Sequence, residues 1–284
     1  MLVKEHQILQ QCKHKNILKS IEIYQDPNQL VYIMEYLSGG ELYARLKLQK
    51  RFTEEIAIQL MYNITRGIYY LHKKKIVHRD IKLENIIFIN KAQLDLKVID
   101  FGFAQNINYQ KLDSKAGTPG FLPPELFKNL PYTEKGDVFS LGVILYCLVS
   151  GQSPFKGKLY KEVLENNRRC KISFESSIWN KISDDCKFLI KKMLEYDPKK
   201  RYSCKDVLMS RWMRKITSKI PTKNRRRFQQ KYNQLIKFLI FGYQYEYYDK
   251  SLKQLYDQIS LLMQKLTKIY KKFKKLLFTQ KYQE

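Results

Sequence analysis

The chain of 284 residues carries 53 Lys+Arg against 27 Asp+Glu, a formal charge of +26, and 44% of it is hydrophobic. That apolar fraction argues against wholesale disorder, the length allows one large domain plus an appendage, and the charge draws the chain toward anionic partners without naming one. Five cysteines, Cys12, Cys147, Cys170, Cys186 and Cys204, are odd in number and form no C-x-x-C pair, which argues against a disulfide framework or a zinc site and for thiols in a reducing compartment.

Met1 to Cys12 carry Lys4, Glu5 and His6 instead of the apolar run of a secretory signal. Apolar alternation predicts strands at Ile17–Tyr24 and Leu30–Tyr36, joined through a turn at Asp26-Pro27-Asn28 into a hairpin. Thr53 before Glu54 and Glu55 predicts an N-cap and an acidic first turn for a helix running to about His72. Val138–Val149, the longest mostly apolar stretch, is shorter than the ~20 residues that cross a bilayer and reads as a helix buried all round. A soluble intracellular protein, cytoplasmic or nuclear, is expected. Ser203 with Asp206 has the form of a capping box opening a short helix. Two strands followed by mostly helix predict an α+β domain whose larger half is helical. The charge density then changes near residue 214: residues 215–284 hold 17 Lys+Arg and 4 Asp+Glu, a net +13.

The chemistry concentrates in His78-Arg79-Asp80-Ile81-Lys82-Leu83-Glu84-Asn85, followed fifteen residues after Asn85 by Asp100-Phe101-Gly102. Transfer of a γ-phosphoryl group needs charge neutralised on three oxygens and the attacking hydroxyl held in line. Carboxylate, lysine and amide side chains at these spacings supply such groups. The two motifs resemble the catalytic and magnesium loops of eukaryotic serine/threonine protein kinases, and Gly39-Gly40-Glu41 with Leu83 resembles the calmodulin-dependent members most. The resemblance implies an α+β, protein-kinase-like fold over residues 1–214: the helical larger lobe with a partial smaller lobe of a regulatory helix and two strands. A basic helical extension over 215–284 would follow.

The cofactors implied are ATP and Mg²⁺. Asp80 would accept the substrate hydroxyl proton, Lys82 would sit on the γ-phosphate, and Asn85 with Asp100 would hold the metal. Gly102 would let the backbone turn sharply after the metal ligand. Thr118, in Gly117-Thr118-Pro119-Gly120-Phe121-Leu122-Pro123-Pro124-Glu125, would bond Asp80 and Lys82; Pro123 stands where the family has alanine. Asp137 would anchor the catalytic-loop backbone, and Glu125 with Arg201 would form a buried ion pair under the substrate loop. Arg79 beside Asp80 implies an activation loop ordered by phosphorylation, with Ser114 the best-placed acceptor and a plain solvated serine the alternative. Glu35 and Leu37, in Met34-Glu35-Tyr36-Leu37, would receive adenine through backbone groups, with Met34 as gatekeeper, Ile87 as the floor and Glu84 on the same cleft. Glu41 and Glu84 also sit where relatives hold acidic residues against basic substrate side chains; the alternative is that both are merely exposed.

Lys4 to Leu9 resembles the middle of the regulatory helix, with Glu5 at the position that pairs with an ATP-anchoring lysine. That lysine and a glycine-rich loop would lie before Met1, so the expectation is an incomplete piece of an active kinase. The competing expectation is a pseudokinase or scaffold, to which Ser20, at a position the family fills with an apolar residue packed on Leu9, His78 and Phe101, adds a hint. In the extension, Leu252, Leu255, Ile259, Leu262, Leu266, Ile269, Phe273 and Leu276 recur at heptad spacing beside a cluster of lysines. A structural helix, a calmodulin-like or autoinhibitory contact, or an anionic membrane all suit such a segment, whereas no nucleic-acid module is expected.

Overall fold

The computed structural model describes residues 2–25, 29–108 and 117–215. The expected turn at 26–28, Ser114 and the heptads of the extension lie outside them. The chain divides into two units: the first, residues 1–23 and 32–241, holds nearly all the elements below, and of the second, residues 24–31 and 242–284, only residues 24, 25 and 29–31 are described.

In chain order the elements are α1 (Leu2–Gln10), β1 (Ser20–Gln25), β2 (Leu30–Met34), α2 (Leu42–Gln49), α3 (Glu54–Lys73), β3 (Ile76–Val77), β4 (Ile86–Phe88), β5 (Leu96–Val98) and β6 (Gln105–Asn106). They are followed by α4 (Glu134–Ser150), α5 (Tyr160–Arg169), α6 (Asp184–Met193), α7 (Cys204–Met209) and α8 (Arg211–Arg214), with 3₁₀ turns at Pro124–Lys128 and Ser177–Lys181. The strands form three two-stranded sheets, β1-β2, β3-β6 and β4-β5, the last two antiparallel, with Ile86 opposite Val98 and Ile76 opposite Asn106.

The first strand starts three residues later than the alternation suggests. Ile17 forms a parallel bridge with Val98, Leu18 N donates to Val98 O at 3.0 Å and Val98 N to Asn16 O at 2.9 Å. Residues 16–18 thereby pair with β5, where Ile17 is buried. β2 ends at Met34, not Tyr36, although Glu35 N still donates across the hairpin to Lys19 O at 3.1 Å.

α3 buries Ala57, Leu60, Met61, Ile64, Ile68 and Leu71 on one stripe, the helical period made physical. Thr53 occupies its N-cap with extended dihedrals, but its hydroxyl caps nothing. Glu54 takes over the role of securing that end: its carboxylate accepts from Ser183 N, Ser183 Oγ and Trp212 Nε1 at 2.7, 2.7 and 2.5 Å, tying α3 to α6 and α8. α4 is buried over every residue from Gly136 to Ser150; each Val, Leu, Ile or Phe so covered contributes about 1.5–3 kcal/mol of transfer free energy. Ser203 and Asp206 complete a reciprocal capping box on α7. No helix among the described residues is long and apolar enough to cross a membrane, and all five cysteines are free thiols.

Candidate active site

The site begins with a buried carboxylate. Asp137, in the first turn of α4 and wholly inaccessible, accepts four hydrogen bonds: from His78 N at 2.9 Å, Arg79 N at 3.0 Å, Tyr132 OH at 2.8 Å and His72 Nε2 at 2.8 Å. Burial would raise its pKa, but the hydrogen bond and charge of His72 outweigh that and hold it below the ordinary 3.8. Burial likewise works against the His72 imidazolium, yet the Cys204 sulfur and the Asp137 carboxylate beside it lift it to about 10. Burial and the Asp137 charge push the Tyr132 phenol well above its usual range, so it stays a donor. Two of these donors flank a strained turn: Arg79 adopts φ +71°, a conformation that costs a non-glycine residue of order 1–3 kcal/mol and persists where its surroundings over-determine it.

That turn delivers Asp80 to the centre of a second network. Its Oδ1 accepts from Thr118 Oγ1 at 2.7 Å, and its Oδ2 from Lys82 Nζ at 2.7 Å and Asn85 Nδ2 at 3.1 Å. Lys82 Nζ also donates to Thr118 Oγ1 at 3.1 Å, and Asn85 Nδ2 to Asp80 O at 2.9 Å. The chain thus gathers Asp80, Lys82, Asn85 and Thr118 around one carboxylate, 4% exposed. Gly117 makes the approach of Thr118 feasible. Its φ is +126°, and a Cβ there would lie 2.6 Å from Leu122 Cδ2 and 3.0 Å from Arg79 O.

Ile99 N donates to Asn85 O at 2.9 Å, which brings Asp100 alongside the loop. The left-handed residue of this second loop is Asp100 itself, at φ +61°; Gly102 is not among the positive-φ glycines, which corrects the expectation placed on it. The turn is closed by the side chain, since Gly102 N donates to Asp100 Oδ1 at 3.2 Å, an Asx geometry that aspartate tolerates. The donor set suits a hard divalent cation: the Asn85 amide nitrogen is engaged by Asp80, its carbonyl oxygen is the remaining ligand atom, and Asp100 offers carboxylate oxygen. No cluster of three or more His, Cys, Asp or Glu among the described residues could hold a metal, so a cation here would complete its shell with substrate phosphate and water.

Glu5, buried on α1, accepts from Phe101 N at 3.1 Å. Burial first, and the Asp100 charge as well, raise its pKa despite that bond. Phe101 packs on His78 with ring centroids 4.9 Å apart, and Leu9 is buried in the same core. Ser20 makes a different contact from the apolar one its position implies: it lies 2.6 Å from His6 Nδ1.

On the hinge side, Glu35 turns its carboxylate inward, accepting from Lys19 N at 2.6 Å and pairing with Lys97 Nζ at 2.5 Å; Lys97 also donates to Ile17 O at 3.1 Å. Leu37 follows, partly buried, before Ser38 N and Gly39 N bond Ile89 O and Phe88 O at 3.2 and 2.9 Å. The backbones come so close here that a Cβ on Gly39 would sit 2.4 Å from Phe88 O. Glu41 bridges to Ile87 on β4. Glu84 lies three residues before Ile87, and its Oε2 is buried without a hydrogen-bond partner. Beneath the loop, Arg201 forms a bidentate pair with Glu125 at 2.7 and 2.8 Å, both side chains at most 1% exposed. Arg79 Nη1 donates to Gln105 Oε1 at 2.7 Å.

Four participants escape motif reading: His72, Tyr132, Lys97 and Gln105. His72 stands at the end of α3 and Tyr132 five residues before Asp137; neither is marked by a residue type or spacing that singles it out. A lysine at the middle of the buried strand Leu96–Val98 was the one legible signal, since a buried ammonium must be paired.

Comparison with known proteins agrees with this geometry. Residues 1–213 match the protein kinase domain family. Similar proteins include calcium-dependent protein kinase 5 of Plasmodium falciparum (isolate 3D7), 37% identical over 219 residues, which cover 76% of this chain and 38% of that protein. Calcium-dependent protein kinase 4 of Plasmodium berghei (strain Anka) is 39% identical over 221 residues, 77% of this chain and 42% of that protein. A probable serine/threonine-protein kinase 2 of Plasmodium falciparum (isolate K1 / Thailand) is 36% identical over 222 residues, 78% and 44% respectively. The chain spans about two fifths of the length of these relatives. With that match covering the loops, the helices and the buried pair described above, the chain belongs to the protein kinase family.

Proposed function

We propose that the chain is a serine/threonine protein kinase that moves the γ-phosphoryl group of ATP to hydroxyls of protein substrates. The observation that carries this reading is the Asp80 carboxylate, nearly buried and held by Lys82, Asn85 and Thr118 at 2.7–3.1 Å. Asp80 would orient the acceptor hydroxyl and take its proton as oxygen attacks phosphorus. Lys82 adds positive charge where negative charge develops, and Thr118 keeps both groups in register. A Mg²⁺ ion held by Asn85 and Asp100 would neutralise phosphate charge. Adenine would rest over Ile87 against the backbone of Glu35 and Leu37, with Lys97 fixing the Glu35 side chain.

Glu41 and Glu84 would select substrates with basic residues before the phosphoacceptor. The resemblance at these two positions supports this; Glu84 Oε2, buried without a hydrogen-bond partner, would turn outward to meet a cation. The relatives named calcium-dependent suggest control by a calmodulin-like partner or by autoinhibition, for which the basic extension offers the segment. The reduced thiols suit an intracellular location.

The test is transfer of labelled phosphate from Mg·ATP to a serine/threonine peptide library, with Asp80→Asn as the control. Transfer by the wild type that vanishes in the variant is expected; equal signals from both would reject the reading. The scaffold alternative draws on the polar His6–Ser20 contact and would show neither transfer nor a thermal shift with Mg·ATP. Calcium-loaded calmodulin retained by the chain, and lost on deleting 252–278, would assign the extension its partner.

A further inference from the structure

α5 is a ten-residue helix with one buried residue, and that residue is polar: Asn167, wholly inaccessible among neighbours such as Tyr160, which is 66% exposed. Apolar burial therefore does not explain how α5 is seated. Both ends of the Asn167 carboxamide are engaged by another segment of backbone. Its Oδ1 accepts from Gly120 N at 3.0 Å, and its Nδ2 donates to Leu122 O at 2.7 Å. Each is a contact that an apolar side chain cannot replace without leaving a peptide group buried and unpaired.

The clipped segment is the one that leads away from the reacting carboxylate. Thr118 touches Asp80 Oδ1 at 2.7 Å, Phe121 N closes back on Thr118 O at 3.0 Å, and Ser140 of α4 donates to Phe121 O at 2.8 Å. Residues 118–122 are thus held at three places by three elements: the catalytic loop through Thr118, α4 through Phe121, and α5 through Gly120 and Leu122. Between the last two Gly120 takes φ +85°, with Val163 of α5 3.6 Å from where its Cβ would stand. The bond from Thr118 to Asp80 places this stretch beside the position an acceptor hydroxyl would take.

We propose that Asn167 is a positioning residue for the protein substrate: its carboxamide sets the backbone path of residues 119–122, against which the residues flanking the phosphoacceptor rest. This inference depends on the protein-kinase activity proposed above. The clip orders the peptide-facing segment before substrate arrives, so the cost of fixing it is not drawn from peptide affinity. Its bonds go to Gly120 and Leu122 and not to Asp80, Asn85 or Asp100, so the effect is expected first on the protein substrate.

The experiment uses the full chain with Asn167→Leu, which removes both bonds, and Asn167→Asp, which keeps size and acceptor but loses the donor to Leu122 O. Peptide KM, ATP KM and kcat are measured, with selection at the positions flanking the phosphoacceptor read on a peptide library. The expected result for Asn167→Leu is a rise in peptide KM of roughly tenfold, as for loss of a buried hydrogen-bond pair, with flattened selection, ATP KM and kcat within about twofold, and a smaller rise for Asn167→Asp. Hydrogen exchange at Gly120 should quicken in Asn167→Leu and stay slow in Asn167→Asp. An active wild type whose variants keep its peptide KM and its selection overturns the inference alone, as does a loss confined to kcat. A wild type that transfers phosphate to no peptide overturns the activity on which the inference rests.

Discussion

Two buried aspartates lie on either side of a single turn of chain and are held in different ways. Asp137 sits at the foot of α4 and takes two of its four hydrogen bonds from backbone, His78 N and Arg79 N, with two side chains on its other flanks. Asp80, held by that turn, is bound by three side chains, Lys82, Asn85 and Thr118. Backbone donors cannot leave without unfolding the turn, whereas an ammonium, an amide or a hydroxyl can exchange partners by rotating about single bonds. Asp137 is built for permanence and Asp80 for exchange with a substrate. Removing one carboxylate should therefore damage the fold, and removing the other the reaction.

The largest expected effect is on chemistry. Asp80→Asn should lower kcat by about 10²–10⁴, the range for loss of a general base, while the urea midpoint stays near that of the wild type; a large drop in stability would erase the distinction. Asp137→Ala should do the reverse first, costing about 3–5 kcal/mol in urea unfolding because it strands the His72 cation and two peptide donors. If that variant kept wild-type stability, the turn at Arg79 would need another explanation.

The pH dependence of stability sharpens the same contrast. His72 is raised to about 10 from an ordinary 6.5, so the proton it binds stabilises the folded state fully below pH 6.5, progressively less above it, and no longer beyond about 10. Asp137, held below its ordinary 3.8, contributes above that value and loses its contribution as acid takes it through the folded pKa. Thermal melts across pH 6–10 should decline for the wild type and run flatter for His72→Gln. The smallest effect is expected furthest from both carboxylates. Lys97→Met frees the Glu35 carboxylate and should raise the ATP KM by about three- to tenfold, within the worth of one charge-assisted bond, with peptide KM unchanged. A change in peptide KM instead would place Lys97 outside hinge control.

Much of the site was readable because its parts are close in sequence. Asp80, Lys82 and Asn85 occupy one loop of six residues, and Asp100-Phe101-Gly102 follows after two short strands, so residue type and spacing suffice to propose their chemistry. α4 was legible for a related reason: a mostly apolar run of that length, apolar on every side of the helix, has no solvent face. Where reading failed, a residue had two uses open to it and packing chose. Ile17 fits the alternation of a hairpin strand, yet it is drawn to Val98. Thr53 is a good cap by type, but Glu54 beside it finds Ser183 and Trp212. A sharp turn after Asp100 invites glycine, and the Asx bond lets aspartate take the left-handed position instead.

The motif residues, the helical larger half and the buried run of α4 were determined by the sequence alone, because periodicity and short spacing are local properties. The partners of those residues were decided only in three dimensions. His72 reaches Asp137 across 65 positions, Lys97 on β5 reaches Glu35 just past β2, and Asn167 reaches Gly120 across 47. In each case a buried polar group must find a complementary one, and which one it meets is set by how the helices pack, a quantity no single segment contains.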